Sequence, residues 1–138
     1  MGDTSSLTIT FAKRDLPQFN EVLKDKMWNG KWWDEVWEEE GRQISCYVSE
    51  ANYGWVNEIE QLAEKGLTFE AYQGSGDSYG PCVCACFQGD LLVCDSNQDG
   101  TPVVAYRKDD NVVGIENARK YWSLYEQVLS YINEPQNP

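Results

Sequence analysis

The sequence contains no histidine. That absence excludes Ser-His-Asp and Cys-His catalysis and every histidine-based metal site, because each of them needs an imidazole as base or ligand. No other catalytic arrangement stands out among the remaining residues, and no cofactor motif is complete. We therefore expect a protein without enzymatic activity and without a cofactor.

Long apolar segments are also missing. No apolar run approaches the roughly 18–20 residues of a membrane-spanning helix, and no secretory leader pattern opens the chain. The five cysteines are an odd number, which favours reduced thiols over a disulfide framework. Cys82, Cys84 and Cys86 alternate along one segment, so we expect small buried side chains there rather than a zinc site. Together these features predict a cytoplasmic protein.

Basic residues are scarce, with 11 Lys and Arg against 23 Asp and Glu. The imbalance is regional, because the window Asp34–Asp99 holds 14 acids and 2 bases and alone accounts for the net charge of −12. Such a surface repels nucleic acid, which binds through Lys and Arg, and it attracts basic proteins. We expect a basic protein or ribonucleoprotein as the partner, with no direct contact to nucleic acid or membrane.

What the sequence has in abundance is large aromatic rings, with six Trp, eight Tyr and four Phe among 138 residues. This length and composition fit a single folded domain over residues 1–138, with frayed ends at 1–6 and 134–138.

Hydrophobic periodicity predicts an α+β fold, a ferredoxin-like two-layer sandwich with a largely antiparallel sheet, three main helices and a C-terminal helix. Apolar residues alternate in the predicted strands, which are Leu7–Phe11, Ile44–Val48, Leu67–Ala71, Cys82–Phe87, Leu91–Asp95 and Thr101–Arg107. Helical spacing predicts a first helix capped by Asp15, one from Trp55 to Gly66 and a last one from about Glu116 to Asn133. The predicted buried face of the last helix is Ile115, Ala118, Trp122, Tyr125, Leu129 and Ile132.

The segment Trp28–Glu40 combines four tryptophans with five acids. Its spacing predicts a short helix over residues 31–40, with Trp33 and Trp37 on adjoining positions of one face. Rings need burial and carboxylates need water or a cation, so we expect one face in the core and one facing a partner. The predicted partner-binding residues are Trp37, the acids Asp34, Glu35, Glu38, Glu39 and Glu40, and Glu58, Glu60 and Glu64 on the following helix.

The segment Asp95–Gly100 matches the first half of a calcium-binding loop. Asp95, Asn97 and Asp99 place oxygens at its first, third and fifth positions, which a hard cation requires. The twelfth position is Tyr106, where a bidentate Glu is needed, and strands flank the loop instead of helices. A hairpin turn is the favoured interpretation, and a metal site at these three residues is the alternative.

The segment WNGKWWDEVW, the following strand QISCYVS and the later LTFEAY resemble the YubB-like, ferredoxin-like proteins of plasmids and phages. Trp28, Gly30, Lys31, Trp32 or Trp33, and Asp34 correspond to that family's Trp-Gly-Thr-Lys-Trp-Asp motif. The resemblance covers roughly Leu7–Phe87. It implies a ferredoxin-like fold and an origin in a mobile element.

We therefore expect an acidic phage- or plasmid-encoded inhibitor of a host nucleic-acid-handling defence complex, of the anti-CRISPR or anti-restriction type. It would act by covering a basic nucleic-acid-binding surface. The alternatives are a calcium- or metal-binding small domain and a non-catalytic interaction module whose acidity maintains solubility.

Overall fold

A computed structural model describes residues 4–76 and 79–134 of the chain. Strands and helices follow one another along these residues. They are β1 Thr4–Ala12, α1 Leu16–Val22, β2 Glu35–Glu39, β3 Gln43–Asn52, α2 Val56–Glu64, β4 Phe69–Gln73, β5 Cys82–Phe87, β6 Asp90–Asp95, β7 Ala105–Tyr106, β8 Val112–Val113 and α3 Ile115–Ile132.

Six of the strands form one sheet in the order β2-β3-β1-β4-β5-β6, and its ladders are antiparallel. β7 and β8 pair with each other outside this sheet. The alternation that predicts β1 is visible in its burial, because Leu7, Ile9 and Phe11 are buried on one face of the sheet. The predicted mixture of helices with a largely antiparallel sheet is confirmed.

One face of the sheet carries α1, α2 and the larger core. Phe11 of β1 stacks on Phe19 of α1 with ring centroids 3.9 Å apart, and Phe69 of β4 meets Phe19 edge-on at 5.9 Å. Trp32 joins the same cluster, 6.2 Å from Phe11. Each such ring buries roughly 150–250 Å², so this cluster fixes α1 and the segment before β2 onto the centre of the sheet.

The opposite face of the sheet carries α3. Side chains of β5 alternate between the two sides: Cys84 and Cys86 belong to the core beneath α1 and α2, whereas Val83 and Ala85 pack with α3. Helices therefore cover both faces of the sheet. The predicted two-layer sandwich is wrong in this respect, because α3 forms a third layer over β5 and β6.

The buried face of α3 matches the predicted one only in part, because Ile132 is buried while Ala118 and Tyr125 are partly buried. Its buried residues are Tyr121, Leu124, Val128 and Ile132. Ile115 and Trp122, which were expected in the core, are 41% and 43% exposed. Both stripes have helical spacing in the sequence, so periodicity cannot choose between them. Packing against Val83 and Ala85 makes the choice.

The predicted short helix over residues 31–40 is wrong, because the second half of this segment is the strand β2. β2 pairs with β3 in a register that places Glu35 opposite Tyr47. Trp33 and Trp37 therefore do not share a helical face, and the described residues contain three α-helices instead of the expected four.

The turn between β2 and β3 explains why a hairpin forms here. Three residues, Glu40 to Arg42, separate the paired Glu39 and Gln43. Glu40 and Gly41 have φ of +52° and +69°, as at the two central positions of a type I′ turn. Arg42 N donates to the Glu39 carbonyl oxygen at 3.0 Å and closes the turn. The glycine expected to end a helix instead reverses the chain direction between two strands.

Asp15 does not cap α1 with its side chain. Its Oδ2 accepts a hydrogen bond from Tyr131 Oη at 2.7 Å, which ties the start of α1 to the end of α3. The Arg14 guanidinium lies 4.2 Å from the centroid of the same tyrosine ring and donates to the Tyr131 carbonyl oxygen at 2.6 Å. Asp15 is the N-cap residue of α1 as predicted, but its carboxylate bonds to Tyr131 in place of the helix N-terminus.

Two predictions about the ends of elements also change. The strand expected over Thr101–Arg107 is reduced to β7, which pairs with β8 and leaves the main sheet. Residues 4–6, expected to fray, belong to β1, while residues 1–3 and 135–138 lie outside the described ranges. Within those ranges, no helix is long and apolar enough to cross a membrane.

Candidate functional site

β2 is the outermost strand on one side of the sheet. Its five residues are all exposed, and no strand in the described part of the chain pairs with its outer edge. Edge strands present unpaired N–H and C=O groups, beside which another chain can add a strand. β2 is therefore the part of the sheet that is open to a partner.

The side chains of β2 alternate between the two faces of the sheet. Glu35, Trp37 and Glu39 lie on one face, whereas Val36 and Glu38 lie on the face that carries α1. Trp37 is 47% exposed and Val36 is 42% exposed. A ring between two carboxylates can exclude water at a contact while the charges select a basic partner.

Few cations neutralise the acids of β2 and its turn. Glu38 Oε2 lies 3.1 Å from Lys13 Nζ, and both side chains are 45% exposed. In residues 4–76 and 79–134, no Lys or Arg lies within ion-pair distance of Glu35, Glu39 or Glu40. An exposed pair stabilises by at most about 1 kcal/mol, so even Glu38 remains available to a partner.

Asp34 has a structural contact that the other acids lack. Its Oδ2 accepts hydrogen bonds from Ser49 N at 2.7 Å and from Ser49 Oγ at 2.9 Å. The bond from the backbone N–H, followed by that from the hydroxyl, lowers the pKa of the Asp34 carboxyl. Asp34 therefore holds the start of β2 against β3.

The tryptophans of the segment Trp28–Glu40 divide into two groups. Trp32 is buried, and its Nε1 donates to Asn20 Oδ1 at 2.9 Å. Trp33 packs edge-on against Trp32 at 5.2 Å, whereas Trp28 is 80% exposed. The expectation that this segment has one core side and one exposed side holds, although a turn and a strand produce it in place of a helix.

The acids of α2 form a separate group. Glu58 lies 3.7 Å from Lys26 Nζ, Glu60 lines a cleft beside α2, and Glu64 is exposed. α2 contacts β6, which lies at the opposite side of the sheet from β2. Lys26, the cation beside Glu58, lines a shallow cleft together with Trp33 and Asp34, so the start of α2 lies near the segment before β2.

The predicted cation ligands occupy a turn after β6. Asn97 Oδ1 accepts hydrogen bonds from Asp99 N at 2.9 Å and from Thr101 N at 3.0 Å. Asp95 is the last residue of β6. No group of three or more Cys, Asp and Glu side chains that could hold a metal ion is found among the residues that the structure describes. The loop geometry is that of an Asn-stabilised turn.

The cysteines are free thiols, and four of the five are buried. Burial raises the pKa of Cys46 to about 12 and that of Cys86 to about 11, and it also raises the pKa of Cys84. Thiols with raised pKa values are poor nucleophiles at neutral pH. The four buried thiols pack as small apolar side chains, as predicted for Cys84 and Cys86, whereas Cys82 is partly exposed.

No family model matches this chain. Searches of curated proteins and of solved structures likewise gave no significant match.

Two clefts that flank the sheet were not predicted from the sequence. The first, of about 400 Å³, opens between α2 and the strands β4, β5 and β6. Its wall includes Tyr53 and Gly54, which together with Trp55 are three successive residues with φ of +53°, +63° and +56°. A Cβ at Gly54 would also overlap the Gln73 side chain. Left-handed residues other than glycine carry strain of roughly 1–2 kcal/mol each. The sequence Asn-Tyr-Gly-Trp predicts a turn here but does not reveal this strain.

The second cleft, of about 370 Å³, lies between the sheet and α3. Glu70 of β4 lies in it together with Tyr72, Tyr121, Trp122 and Tyr125. Two features of the sequence could have indicated this cleft. One is the isolated acid Glu70 in an apolar strand, and the other is the three rings Tyr121, Trp122 and Tyr125 within about one helical turn. Only the packing of α3 on the sheet shows that they meet.

Proposed function

We propose that this protein is an acidic inhibitor, encoded by a phage or plasmid, that covers the nucleic-acid-binding surface of a basic host protein or ribonucleoprotein. The target class is a defence complex of the CRISPR or restriction type, and the site of action is the host cytoplasm. The observation that carries the proposal is the open edge strand β2, with its exposed tryptophan and its acids.

The charge of β2 supports a basic partner. Side chains on one face of a strand repeat every ~6.6–6.8 Å, so Glu35 and Glu39 lie about 13 Å apart on one face of β2 with Trp37 between them. Grooves that bind nucleic acid are lined by Lys and Arg. The two carboxylates of this face can meet cations of such a groove while Trp37 anchors the contact between them.

The arrangement of strands supports the ferredoxin-like part of the proposal. The chain runs β1-α1-β2-β3-α2-β4, and these four strands lie in the order β2-β3-β1-β4 with antiparallel ladders. This is the chain order of a split β-α-β unit of the ferredoxin-like kind. β5, β6 and α3 extend it on the side away from β2. The resemblance to mobile-element proteins supplies the host setting.

The experiment is capture of partners from a host lysate with the immobilised protein at low and at high salt. The recovered complex is then tested for nucleic-acid binding with and without added inhibitor. We expect a basic partner whose retention falls at high salt and whose nucleic-acid binding is lost. Retention that does not depend on salt, or a partner that still binds nucleic acid, would contradict the proposal.

A charge-matched pair of variants locates the surface. Glu35→Lys with Glu39→Lys reverses two acids of β2, and Glu116→Lys with Glu126→Lys reverses two exposed acids of α3 by the same amount. If β2 is the contact, the first variant loses the partner and the second retains it. Equal loss in both would mean that net charge, and not β2, drives the binding.

A further inference from the structure

The cleft between α3 and the sheet is separate from the edge strand β2. Its lining combines an acid, four aromatic rings and the turn after β6. These lining residues are Glu70, Tyr72, Val83, Tyr121, Trp122, Tyr125 and the loop Gln98–Thr101. At about 370 Å³ it lies at the lower end of the range for ligand pockets, roughly 300–1,000 Å³, and fits a small ligand or one long side chain.

Three of the rings form a corner. Tyr121 and Tyr125 lie nearly parallel, with centroids 5.8 Å apart and an interplanar angle of 28°. Trp122 stands perpendicular to Tyr125, at 5.5 Å and 89°, and meets Tyr121 at 5.3 Å. Trp122 is 43% exposed, so it lies at the mouth of the cleft. Ring faces carry partial negative charge and attract cations.

Glu70 supplies a full negative charge beside these rings. It lies on the α3 side of β4, opposite Thr10 of β1 and Ala85 of β5. None of the residues that line the cleft is a Lys or Arg. Burial raises the pKa of this carboxyl group. A partly buried carboxylate without a cation is unfavourable, and a bound cation would compensate for it.

We propose that this cleft binds an alkylated ammonium cation, with Glu70 as the counter-charge and the rings of Trp122 and Tyr125, which the buried Tyr121 supports, against the alkyl groups. Such an ion spreads its charge over an apolar surface, which suits a pocket of rings. A metal ion needs several oxygen ligands, and this lining offers one inner carboxylate and Asp99 at the turn. The cation is either a free quaternary ammonium compound or a methylated lysine of a partner.

The test is isothermal titration calorimetry of the purified full chain with choline. The matched control ligand is its neutral carbon analogue, in which a tert-butyl group replaces the trimethylammonium group. We expect saturable binding of choline and binding of the neutral analogue that is weaker by roughly tenfold, the scale of a desolvated cation–π contact. Equal binding of choline and its neutral analogue would overturn the proposal. So would the absence of binding for both choline and a trimethyllysine peptide.

Variants and a second ligand complete the test. Glu70→Gln and Trp122→Ala should each weaken choline binding, whereas Trp28→Ala, at an exposed ring elsewhere, should leave it unchanged. Loss of binding in Trp28→Ala to the same extent would contradict the assignment. A trimethyllysine peptide and its unmethylated form distinguish the sources: tighter binding of the methylated peptide than of choline assigns the cleft to a partner's side chain, and the reverse assigns it to a free ligand.

Discussion

Trp32 and Trp37 belong to one short segment and lie in opposite environments. Trp32 is 3% exposed and packs on Phe11 and Trp55, whereas Trp37 is 47% exposed on the edge strand β2. The residues before β2 turn into the core beside α1, and β2 then leaves it by pairing with β3. The comparison teaches that residue type alone does not assign a role here, because the pairing register decides which rings are buried.

The largest effect that separates the two regions concerns their tryptophans. Trp32→Ala removes a buried ring from the aromatic core and should lower the free energy of unfolding by about 3–5 kcal/mol. Trp37→Ala removes an exposed ring and should change it by less than about 0.5 kcal/mol. Urea denaturation of both variants measures the difference. Similar values for the two would mean that β2 is packed as tightly as the segment before it.

Asp34 lies at the junction between the two regions, and its removal should have a smaller effect. Asp34→Ala deletes two hydrogen bonds from Ser49 and should lower the free energy of unfolding by about 1 kcal/mol, since solvent screens the exposed carboxylate. Because the folded pKa is lowered, this contribution is present above the ordinary pKa of 3.8 and is lost as pH falls through the folded value. Denaturation of the variant and the parent at neutral and at acid pH checks both statements. Glu35→Ala, which removes a neighbouring acid without such bonds, is the control.

Glu70 contrasts with the acids of β2, because Glu70 is partly buried and they are exposed. Burial raises its pKa above the ordinary value of 4.5, so the folded state holds the proton more tightly and stability falls as pH rises through this window. Glu70→Gln should therefore raise the melting temperature at neutral pH and leave it nearly unchanged below pH 4.5. The facing tyrosines Tyr121 and Tyr125 have pKa values raised away from neutrality, so they do not titrate in the same range.

Melting temperatures of Glu70→Gln and of the parent, measured from acid to neutral pH, test this prediction. The expected effect is the smallest of the three. A variant whose melting temperature stayed below that of the parent at neutral pH would show that Glu70 stabilises the fold as a carboxylate. A difference independent of pH would also contradict the assignment.

Most of the strands and helices could be predicted from the sequence because their patterns are local. β1 and β3 alternate, and α2 has helical spacing between turn signals. The helix predicted over residues 31–40 was wrong because Trp33 and Trp37 have a helical spacing, whereas the observed strand is determined by pairing with distant residues of β3. The buried face of α3 was predicted only in part for a similar reason, because packing against the sheet determines which of two apolar stripes is buried.

The candidate site was predicted in part. The sequence pointed to the acids from Glu35 to Glu40 and to Trp37, and these are exposed on β2 and its turn. It could not show that Glu58 lies beside Lys26, or that Asn97 uses its side-chain oxygen within a turn. Glu70 and the rings of α3 were missed because only tertiary packing brings them together.

The central claim is that β2 is the surface that meets the partner. Amide hydrogen exchange, measured for the protein alone and bound to the basic partner recovered from the lysate, tests this most directly. The account predicts that amides of β2 exchange more slowly in the complex, since its open edge becomes covered, while those of α3 are unchanged. Unchanged exchange in β2 with slower exchange in α3 or in the β7–β8 hairpin would contradict it.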